Sequence, residues 1–166
     1  MGIILVLHNT KLFISLCFIA FSISTASAQK APDFSLPGDN GQITLSKYKN
    51  SVIYLDFWAS WCKPCLKSFG FMNNMQKKYA KRGLKIIAIN LDDERSAAAK
   101  FLKQQPANFT IAYNPDGDVS TAYNLGVMPT SYLIDRQGNI IFTHKGYKDS
   151  HASSLEKKII RALNKR

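Results

Sequence analysis

Two cysteines separated by two residues, Cys62 and Cys65, have the spacing in this sequence that most clearly indicates chemistry. Disulfide exchange needs one thiolate that attacks and a second thiol that resolves the mixed disulfide. The pair follows an apolar strand-like stretch, 52–57, and precedes a helical pattern. Cys62 should therefore lie at a helix N-terminus, where the helix dipole lowers the pKa of a thiol. We expect Cys62 to be the nucleophile and Cys65, one turn along and more deeply buried, to be the resolving thiol.

The two residues between the cysteines fit the same chemistry. Lys63 adds a positive charge beside the nucleophile and should favour the thiolate. Pro64 suits the first turn of a helix, because a proline there forfeits no intrahelical hydrogen bond. Stabilising the thiolate also stabilises the reduced form and raises the reduction potential, so a disulfide oxidant or isomerase is an alternative to a reductant.

Other uses of a Cys-x-x-Cys pair are less consistent with this sequence. A structural zinc site would need a second cysteine pair, and His144 and His151 stand at no ligand-like spacing. A purely structural disulfide at this spacing would close almost no chain. A copper-binding chaperone using Cys62, Cys65 and a histidine such as His144 remains an alternative, because thiolates suit Cu(I). Disulfide exchange itself needs no metal and no other cofactor.

The chain has 166 residues, with 22 Lys and Arg against 11 Asp and Glu, for a formal net charge of +11. This length predicts one domain with a substantial core. No nucleic-acid-binding motif accompanies the charge, so we expect no nucleic-acid partner. Basic runs on helices are usually solvated faces, and a weak association with anionic membrane surfaces or acidic partners is the alternative.

The first 28 residues have the layout of a secretory signal peptide. One charged residue, Lys11, precedes an apolar run at 12–23, and an Ala-Ser-Ala sequence ends the segment. Cys17 lies inside this leader, so the domain at 29–166 retains only the Cys-x-x-Cys pair. The leader predicts a periplasmic location or one at the extracytoplasmic face of a membrane, and an uncleaved anchor is the alternative.

The hydrophobic periodicity of the remaining chain predicts an α/β fold with a central mixed sheet flanked by helices. The predicted order begins with an N-terminal hairpin within 32–45 that turns at 37–41, a strand at 52–57 and a helix from Cys65 to near Gly83. A strand at 84–91 follows, then a helix capped by Asp92 or Asp93 and running to Gln105, and a strand at 109–113. The chain ends with a brief helix at 119–124 followed by Gly126, a hairpin of 130–134 with 139–143, and a last helix. Ser153 and Glu156 have the spacing of a capping box for that last helix.

Two segments together resemble thioredoxin-fold proteins. Residues 56–65, with the sequence DFWASWCKPC, resemble the active-site segment of that fold, and residues 126–130, GVMPT, resemble its cis-proline loop. The N-terminal hairpin and the inserted helix–strand unit are similar to the TlpA/ResA branch, whose members are extracytoplasmic thiol–disulfide oxidoreductases. Several of them serve cytochrome c maturation. The resemblance implies protein disulfides as substrates, apocytochrome c among them, and a membrane thiol–disulfide electron donor.

The same resemblance implies roles for residues around the dithiol. Pro129 would form a cis peptide opposite the cysteines and hold Met128 so that its backbone pairs with an extended substrate segment. Thr130 follows in the same loop. Trp61 would cover the dithiol, with simple packing as its alternative role. We expect Trp61, Met128 and Thr130 to contact the substrate, together with Lys63 and Pro64.

Asp56 matches the buried acid that assists proton transfer at the second cysteine in thioredoxins. A carboxylate within an apolar strand should have a raised pKa and suit general-base work; a strand-end carboxylate reaching solvent or a lysine is the alternative. The chain also departs from the branch, because Ser68 and Gly70 stand where many relatives carry Glu and Pro. Asp56 would then handle the proton alone.

Overall fold

The computed structural model describes Gly2 and residues 29–165. The leader predicted for 1–28, including Cys17, lies outside the described residues except for Gly2. Within the described part of the chain, every helix is too short or too polar to cross a membrane.

A seven-stranded mixed sheet forms the centre of the fold. Its strands are β1 (Ser35–Gly38), β2 (Gly41–Thr44), β3 (Val52–Trp58), β4 (Leu84–Asn90), β5 (Thr110–Tyr113), β6 (Thr130–Ile134) and β7 (Ile140–Lys145). They are ordered β2-β1-β5-β4-β3-β6-β7 across the sheet. β3, β4 and β5 are parallel, while β1 and β6 run antiparallel to their neighbours in this group. The predicted fold class, a mixed sheet flanked by helices, is confirmed.

Four α-helices connect or follow these strands. They are α1 (Lys63–Tyr79), α2 (Arg95–Gln104), α3 (Asp118–Ala122) and α4 (Ala152–Asn164). Short 3₁₀ turns occupy Leu45–Tyr48, Ala80–Arg82 and Asp149–His151. The turn after α1 ends at Gly83, which has a φ of 93° and supplies the left-handed conformation that stops the helix. The predicted helix end at this glycine is confirmed.

Strand β3 is buried along its whole length, because both of its faces are covered. Its side chains alternate between two clusters, as the period of two in a strand requires. Tyr54 and Trp58 pack with the two cysteines, α1 and α4. Leu55 and Phe57 pack on the other face, with α3 and the N-terminal segment.

The carboxyl ends of β3 and β4 meet at one end of the sheet, which we call the dithiol end. There the register pairs Trp58 with Asn90. On the other side of β3, Phe57 pairs with Thr130 at the start of the antiparallel β6. The loop that precedes Thr130 therefore lies beside the loop that follows Trp58, although the two are far apart in sequence.

The N-terminal hairpin turns more tightly than predicted. Its loop is Asp39 and Asn40, and Gly38 lies within β1 rather than in the turn. A Cβ atom at Gly38 would stand 2.6 Å from the side chain of Ile43 and 3.0 Å from the carbonyl oxygen of Ile111. The glycine therefore permits the close approach of β1 to β5.

The predicted caps of α2 and α4 are wrong. Glu94 is the N-cap of α2 and no side chain caps it, while Asp92 makes its hydrogen bonds elsewhere. His151, rather than Ser153, occupies the N-cap position of α4. Glu156 accepts hydrogen bonds from α1, so a tertiary contact replaces the predicted capping box.

The brief helix α3 also ends earlier than predicted. The helix ends at Ala122, and Asn124, the last residue of the predicted helix, has a φ of 50°. Asparagine tolerates the left-handed region better than most residues, because its side chain can bond locally. The predicted helix itself is confirmed.

Candidate active site

The two cysteines lie where β3 passes into α1. Cys62 is the N-cap residue of α1, and the N–H of Cys65 donates to its carbonyl oxygen at 2.9 Å. A disulfide joins the two side chains, with Cα atoms 5.3 Å apart. Cys62 is 5% exposed and Cys65 is fully buried. The predicted difference in depth is confirmed, and only Cys62 has any contact with solvent.

The residues next to the dithiol are exposed. Lys63 and Pro64 occupy the first turn of α1, as predicted, and both side chains face solvent. The indole of Trp61 is 69% exposed, which argues against a packing role in the core. All three residues that flank Cys62 are therefore accessible to a partner molecule.

The loop ahead of β6 contains a cis peptide bond between Met128 and Pro129, as predicted. The carbonyl oxygen of Pro129 accepts a hydrogen bond from the N–H of Gly146 at 2.7 Å. Thr130 is buried, and its hydroxyl donates to the carbonyl oxygen of Val127 at 2.6 Å. Its side chain therefore shapes the loop from inside and does not face a substrate.

The backbone groups of Met128, the residue before the cis-proline, are free in the described part of the chain. Among residues 29–165, no hydrogen bond uses its N–H or its carbonyl oxygen. Its side chain is half-buried and packs against the cluster that contains the cysteines. The backbone of Met128 is thus available to pair with an extended peptide, which is the arrangement that β-strand addition requires.

Asp56 is fully buried on the face of β3 that carries Tyr54 and Trp58. Cys65 belongs to the cluster on this face, so Asp56 and Cys65 lie on the same side of the sheet. Burial raises the pKa of Asp56 to about 7, and the hydrogen bond from Ser131 opposes that rise. The alternative of a strand-end carboxylate reaching solvent is excluded by its complete burial.

A short chain of hydroxyl groups reaches Asp56. The hydroxyl of Tyr54 donates to Oγ of Ser131 at 2.8 Å, and Ser131 donates to Oδ1 of Asp56 at 2.6 Å. Oδ2 of Asp56 is buried and has no hydrogen-bond partner in the described part of the chain. Burial and the charge of Asp56 both raise the pKa of Tyr54, so the tyrosine remains a hydrogen-bond donor.

Asp92, which the sequence pattern predicted as a helix cap, belongs to the site instead. Its carboxylate accepts hydrogen bonds from the backbone N–H and the hydroxyl of Ser60, at 2.9 to 3.1 Å. The side-chain amide of Asn90 donates to it at 2.8 Å. Asp92 thus fixes the loop two residues before Cys62. Its position directly after the buried strand β4 was the signal available in the sequence.

Two exposed apolar side chains near the dithiol were also missed. Leu66 follows Cys65 and is 36% exposed, and Val127 precedes Met128 and is 47% exposed. With Trp61 they place apolar surface on both loops of the site. We call Trp61, Leu66 and Val127 the apolar rim. Exposed apolar groups around a reactive residue are typical of a protein-binding surface.

The two departures from the resembled branch are accommodated within α1. Ser68 is buried, and its hydroxyl donates to the carbonyl oxygen of Cys65 at 2.9 Å. Gly70 is exposed, and a Cβ added there would meet no neighbouring atom. The helix is continuous through both positions. Asp56 is therefore the acid placed behind the dithiol in the described structure.

The copper alternative is wrong in its ligand set. Across residues 29–165, no group of three or more His, Cys, Asp and Glu side chains is placed to hold a metal ion. His144 instead contacts His151, with Nε2 and Nδ1 3.1 Å apart. Burial, and then the neighbouring His151, lower the pKa of His144.

Comparison with known proteins agrees with this geometry. The family model described as Redoxin matches residues 26–159. The thiol-disulfide oxidoreductase ResA of Bacillus subtilis is 32% identical over 140 residues, which cover 78% of each chain.

Two solved structures are also similar. A putative thiol:disulfide interchange protein DsbE from Chlorobium tepidum has a TM-score of 0.82 and 48% identity, covering 82% of this chain and 97% of its own. The exposed lipoprotein thioredoxin of Streptococcus pneumoniae has a TM-score of 0.68 and 25% identity, covering 78% of this chain and 99% of its own.

Proposed function

This chain belongs to the Redoxin family and is a thiol–disulfide oxidoreductase with a thioredoxin fold, and from this premise we propose that it reduces protein disulfides outside the cytoplasm. The observation that carries the proposal is the pairing of a slightly exposed Cys62 at the start of α1 with a fully buried Cys65. An attacking thiol must reach the substrate, and a resolving thiol must wait out of its reach.

In the first step, the thiolate of Cys62 attacks one sulfur of a substrate disulfide. A Cys62–substrate disulfide forms, the substrate S–S bond breaks, and the departing substrate sulfur takes up a proton. The extended segment around the substrate cysteine would pair with the backbone of Met128 and lie against Trp61. These contacts hold the two reacting sulfurs together and account for the exposed apolar rim.

In the second step, Cys65 loses its proton and attacks the sulfur of Cys62. The Cys62–Cys65 disulfide forms, and the second substrate cysteine leaves as a thiol, so two electrons have passed to the substrate. Asp56 takes the proton of Cys65. A carboxyl with a pKa near 7 is suited to this work because it can accept and return a proton at neutral pH.

The buried charge of Asp56 near the dithiol favours a reductant over an oxidant. Asp56 is buried with no cationic partner within the described residues, so its ionised form disfavours a nearby thiolate. Lys63 has the opposite effect, but it is exposed and its charge is screened by solvent and salt. Destabilising the thiolate destabilises the reduced form and lowers the reduction potential.

The extracytoplasmic location is supported by the leader at 1–28, with residues 29–166 as the working domain. One similar structure is named as an exposed lipoprotein. A membrane thiol–disulfide donor would then regenerate the dithiol. Apocytochrome c is the client suggested by the TlpA/ResA resemblance, and general reduction of envelope proteins is the broader alternative.

Trapping the substrate tests the exchange mechanism. Cys65→Ser should stop at the first step and retain clients as mixed disulfides on Cys62, whereas Cys62→Ser should retain none. Recovery of apocytochrome c would support the maturation role, and a broad set of envelope proteins would support general reduction. Absence of any trapped species from the Cys65→Ser protein would contradict the mechanism.

The reduction potential tests the direction. Dithiols of this fold span roughly −270 to −120 mV, and we expect a value in the more reducing half of that range. Equilibration against a series of glutathione buffers gives the measurement. A value near −120 mV would identify an oxidant or isomerase instead.

A further inference from the structure

Basic side chains collect at the end of the sheet opposite the dithiol. We call this group the basic pole, and it consists of Lys30, Lys49, Lys81, Arg82, Arg136 and Lys165. The dithiol end carries charges of both signs. Lys63 and Arg95 are basic, and the loops that follow β4 and β5 contain Asp92, Asp93, Glu94, Asp116 and Asp118. The net positive charge of the chain is therefore distributed unevenly along β3.

The chain order explains part of this grouping. Lys49 precedes the first residue of β3 by three positions, and Arg82 precedes the first residue of β4 by two. Because β3 and β4 are parallel, their first residues lie side by side, and the N–H of Val52 bonds to the carbonyl of Gly83 at 3.0 Å. The approaches to both strands therefore bring their basic residues to the same end.

Tertiary hydrogen bonds add the other basic residues. Arg82 donates to Oδ1 of Asn164 at 2.8 Å, which places the end of α4, with Lys165, beside it. Arg136, in the turn between β6 and β7, donates to the carbonyl of Leu163 at 3.4 Å. Lys30 donates to the carbonyl of Gln137, in the same turn, at 2.6 Å.

Two acidic residues at this end, Asp33 and Asp135, offset only part of the charge of the six basic side chains. The carboxylate of Asp135 accepts hydrogen bonds from the backbone N–H groups of Gln137 and Asn139. The carboxylate of Asp33 accepts from those of Phe34 and Ser46. Within the part of the chain that the structure describes, no side chain of the basic pole lies within ion-pair distance of a carboxylate.

Part of the basic pole surrounds a groove of about 540 Å³. Ile53 and Ile134 line it together with three basic residues, Lys30, Lys49 and Arg136, and two acidic residues, Asp33 and Asp135. Basic groups outnumber acidic ones in this groove, and the low-dielectric wall focuses the net positive field. The surface thus combines apolar area with basic side chains that form no ion pair within residues 29–165.

The N-terminal segment joins the domain at this same end. The carbonyl of Gln29 accepts from the N–H of Ile140 at 2.8 Å, and the N–H of Ala31 donates to the carbonyl of Gly138 at 3.0 Å. Residues 1–28, with the apolar run at 12–23, therefore precede a chain entry located at the basic pole.

We propose that the basic pole docks on an anionic phospholipid surface and holds the dithiol facing away from it. The position of the chain entry favours a membrane over an acidic protein, because an uncleaved apolar leader and a basic patch at one place would supply two membrane-binding signals. Trp58 lies about 16 Å along β3 from Ile53, so the site stands clear of the lipid headgroups. This docking proposal rests on the proposed function in one respect only, which is that the protein meets the extracytoplasmic side of the membrane.

Vesicle binding by the full chain tests the proposal. The variant Lys49→Gln/Lys81→Gln/Lys165→Gln removes three charges of the basic pole, and none of these side chains makes a hydrogen bond within residues 29–165. Its affinity for vesicles containing 30% phosphatidylglycerol should fall on the order of 100-fold. The wild-type protein should lose binding as salt is raised and bind pure phosphatidylcholine weakly.

A matched variant controls for net charge. Lys100→Gln/Lys103→Gln/Lys148→Gln also removes three exposed charges, but none from the basic pole. It should retain affinity within a few-fold of the wild-type protein. Equal losses in the two variants would contradict a localised docking surface, and no loss in either would assign binding to the leader alone. Loss of poly-glutamate binding without loss of vesicle binding would identify an acidic protein as the partner.

Tryptophan fluorescence tests the orientation. The chain has two tryptophans, the exposed Trp61 and the buried Trp58, and both lie at the dithiol end. Acrylamide should quench Trp61 equally in free and vesicle-bound protein, and brominated lipids should not quench it. Protection of Trp61 on binding would overturn the orientation. Disulfide exchange by both triple variants should match the wild-type rate. A failure of the docking proposal can therefore be distinguished from a failure of the proposed redox function.

Discussion

The hydroxyl of Ser131 donates a hydrogen bond to Oδ1 of Asp56 at 2.6 Å, while Oδ2 of the same carboxyl has no partner among the described residues. One charge-assisted hydrogen bond does not replace the hydration that a carboxylate loses in the core. The net result is a pKa near 7 for Asp56, set first by burial. The ionised carboxylate therefore destabilises the folded oxidised protein at neutral pH.

Replacing Asp56 with Asn should stabilise the oxidised protein at pH 8. The folded state holds a proton on Asp56 up to about pH 7, whereas the unfolded chain releases it near pH 4, so the wild-type protein loses stability as the pH rises between these values. At about 1.4 kcal/mol per pH unit, the gain from the substitution has an upper limit of about 4 kcal/mol. Urea unfolding at pH 8 and pH 5 should show a smaller gain at pH 5.

The same variant should exchange disulfides slowly. Without a base for Cys65, the mixed disulfide on Cys62 should resolve at least tenfold more slowly at pH 7, because general-base assistance contributes about 100-fold or more. A more stable but fully active Asp56→Asn protein would contradict the role of Asp56 as base. A variant that is unchanged in stability at pH 8 would contradict its buried, raised-pKa state.

Ser131→Ala should move the pH dependence of the second step upward. It removes the hydrogen bond that favours the carboxylate form of Asp56, so the pKa of that carboxyl should rise further above its ordinary value. The measurement is the rate of mixed-disulfide release as a function of pH. Tyr54→Phe removes the outer member of the hydroxyl chain and should shift the profile less. Identical profiles for Ser131→Ala and the wild-type protein would contradict the coupling.

Asp92→Ala should loosen the loop before the dithiol. It leaves the N–H and hydroxyl of Ser60 without their acceptor, and we expect the free energy of unfolding to fall by about 1–3 kcal/mol. Disulfide exchange should also slow. Asp93→Ala is the matched control, because that side chain is exposed and its removal should change stability by less than about 0.5 kcal/mol. Equal effects at the two positions would refute the assignment.

Val127→Ser should weaken binding of protein substrates without affecting the chemistry. Covering a half-exposed valine contributes about 1 kcal/mol, so KM for a disulfide-bonded protein should rise by about fivefold. Exchange with a small disulfide should be unchanged, because such a molecule does not reach the apolar rim. Ile141→Ser is the control, since Ile141 is comparably exposed but lies on β7. A rise in KM with both variants would argue against a localised binding surface.

Patterns with a local physical cause could be predicted from the sequence. The apolar run of β3 must be buried on both faces, which gave the central strand, and the proline in the first turn after Cys62 marked the start of α1. A carboxyl within that apolar run must lose hydration, so the raised pKa of Asp56 followed directly.

Features that depend on distant parts of the chain could not be predicted. An aspartate just before a helix is a typical N-cap residue. Asp92 instead accepts hydrogen bonds from Ser60, and only the adjacency of β3 and β4 brings these two residues together. Glu156 has the spacing of a capping box, but α1 supplies Lys78 and Tyr79 as stronger partners. In both cases tertiary hydrogen bonds displaced a local one of comparable chemistry.

The pairing of Phe57 with Thr130 also has a consequence in time. A chain made from its N-terminus presents Cys62 and Cys65 well before the loop at Met128 exists, so the reactive pair precedes the surface that selects its substrates. Long-range pairing of this kind forms late, because loop closure must come first. During that interval the two thiols lack the surface that selects their substrates, and protection of the nascent chain from the wrong disulfides falls to its surroundings.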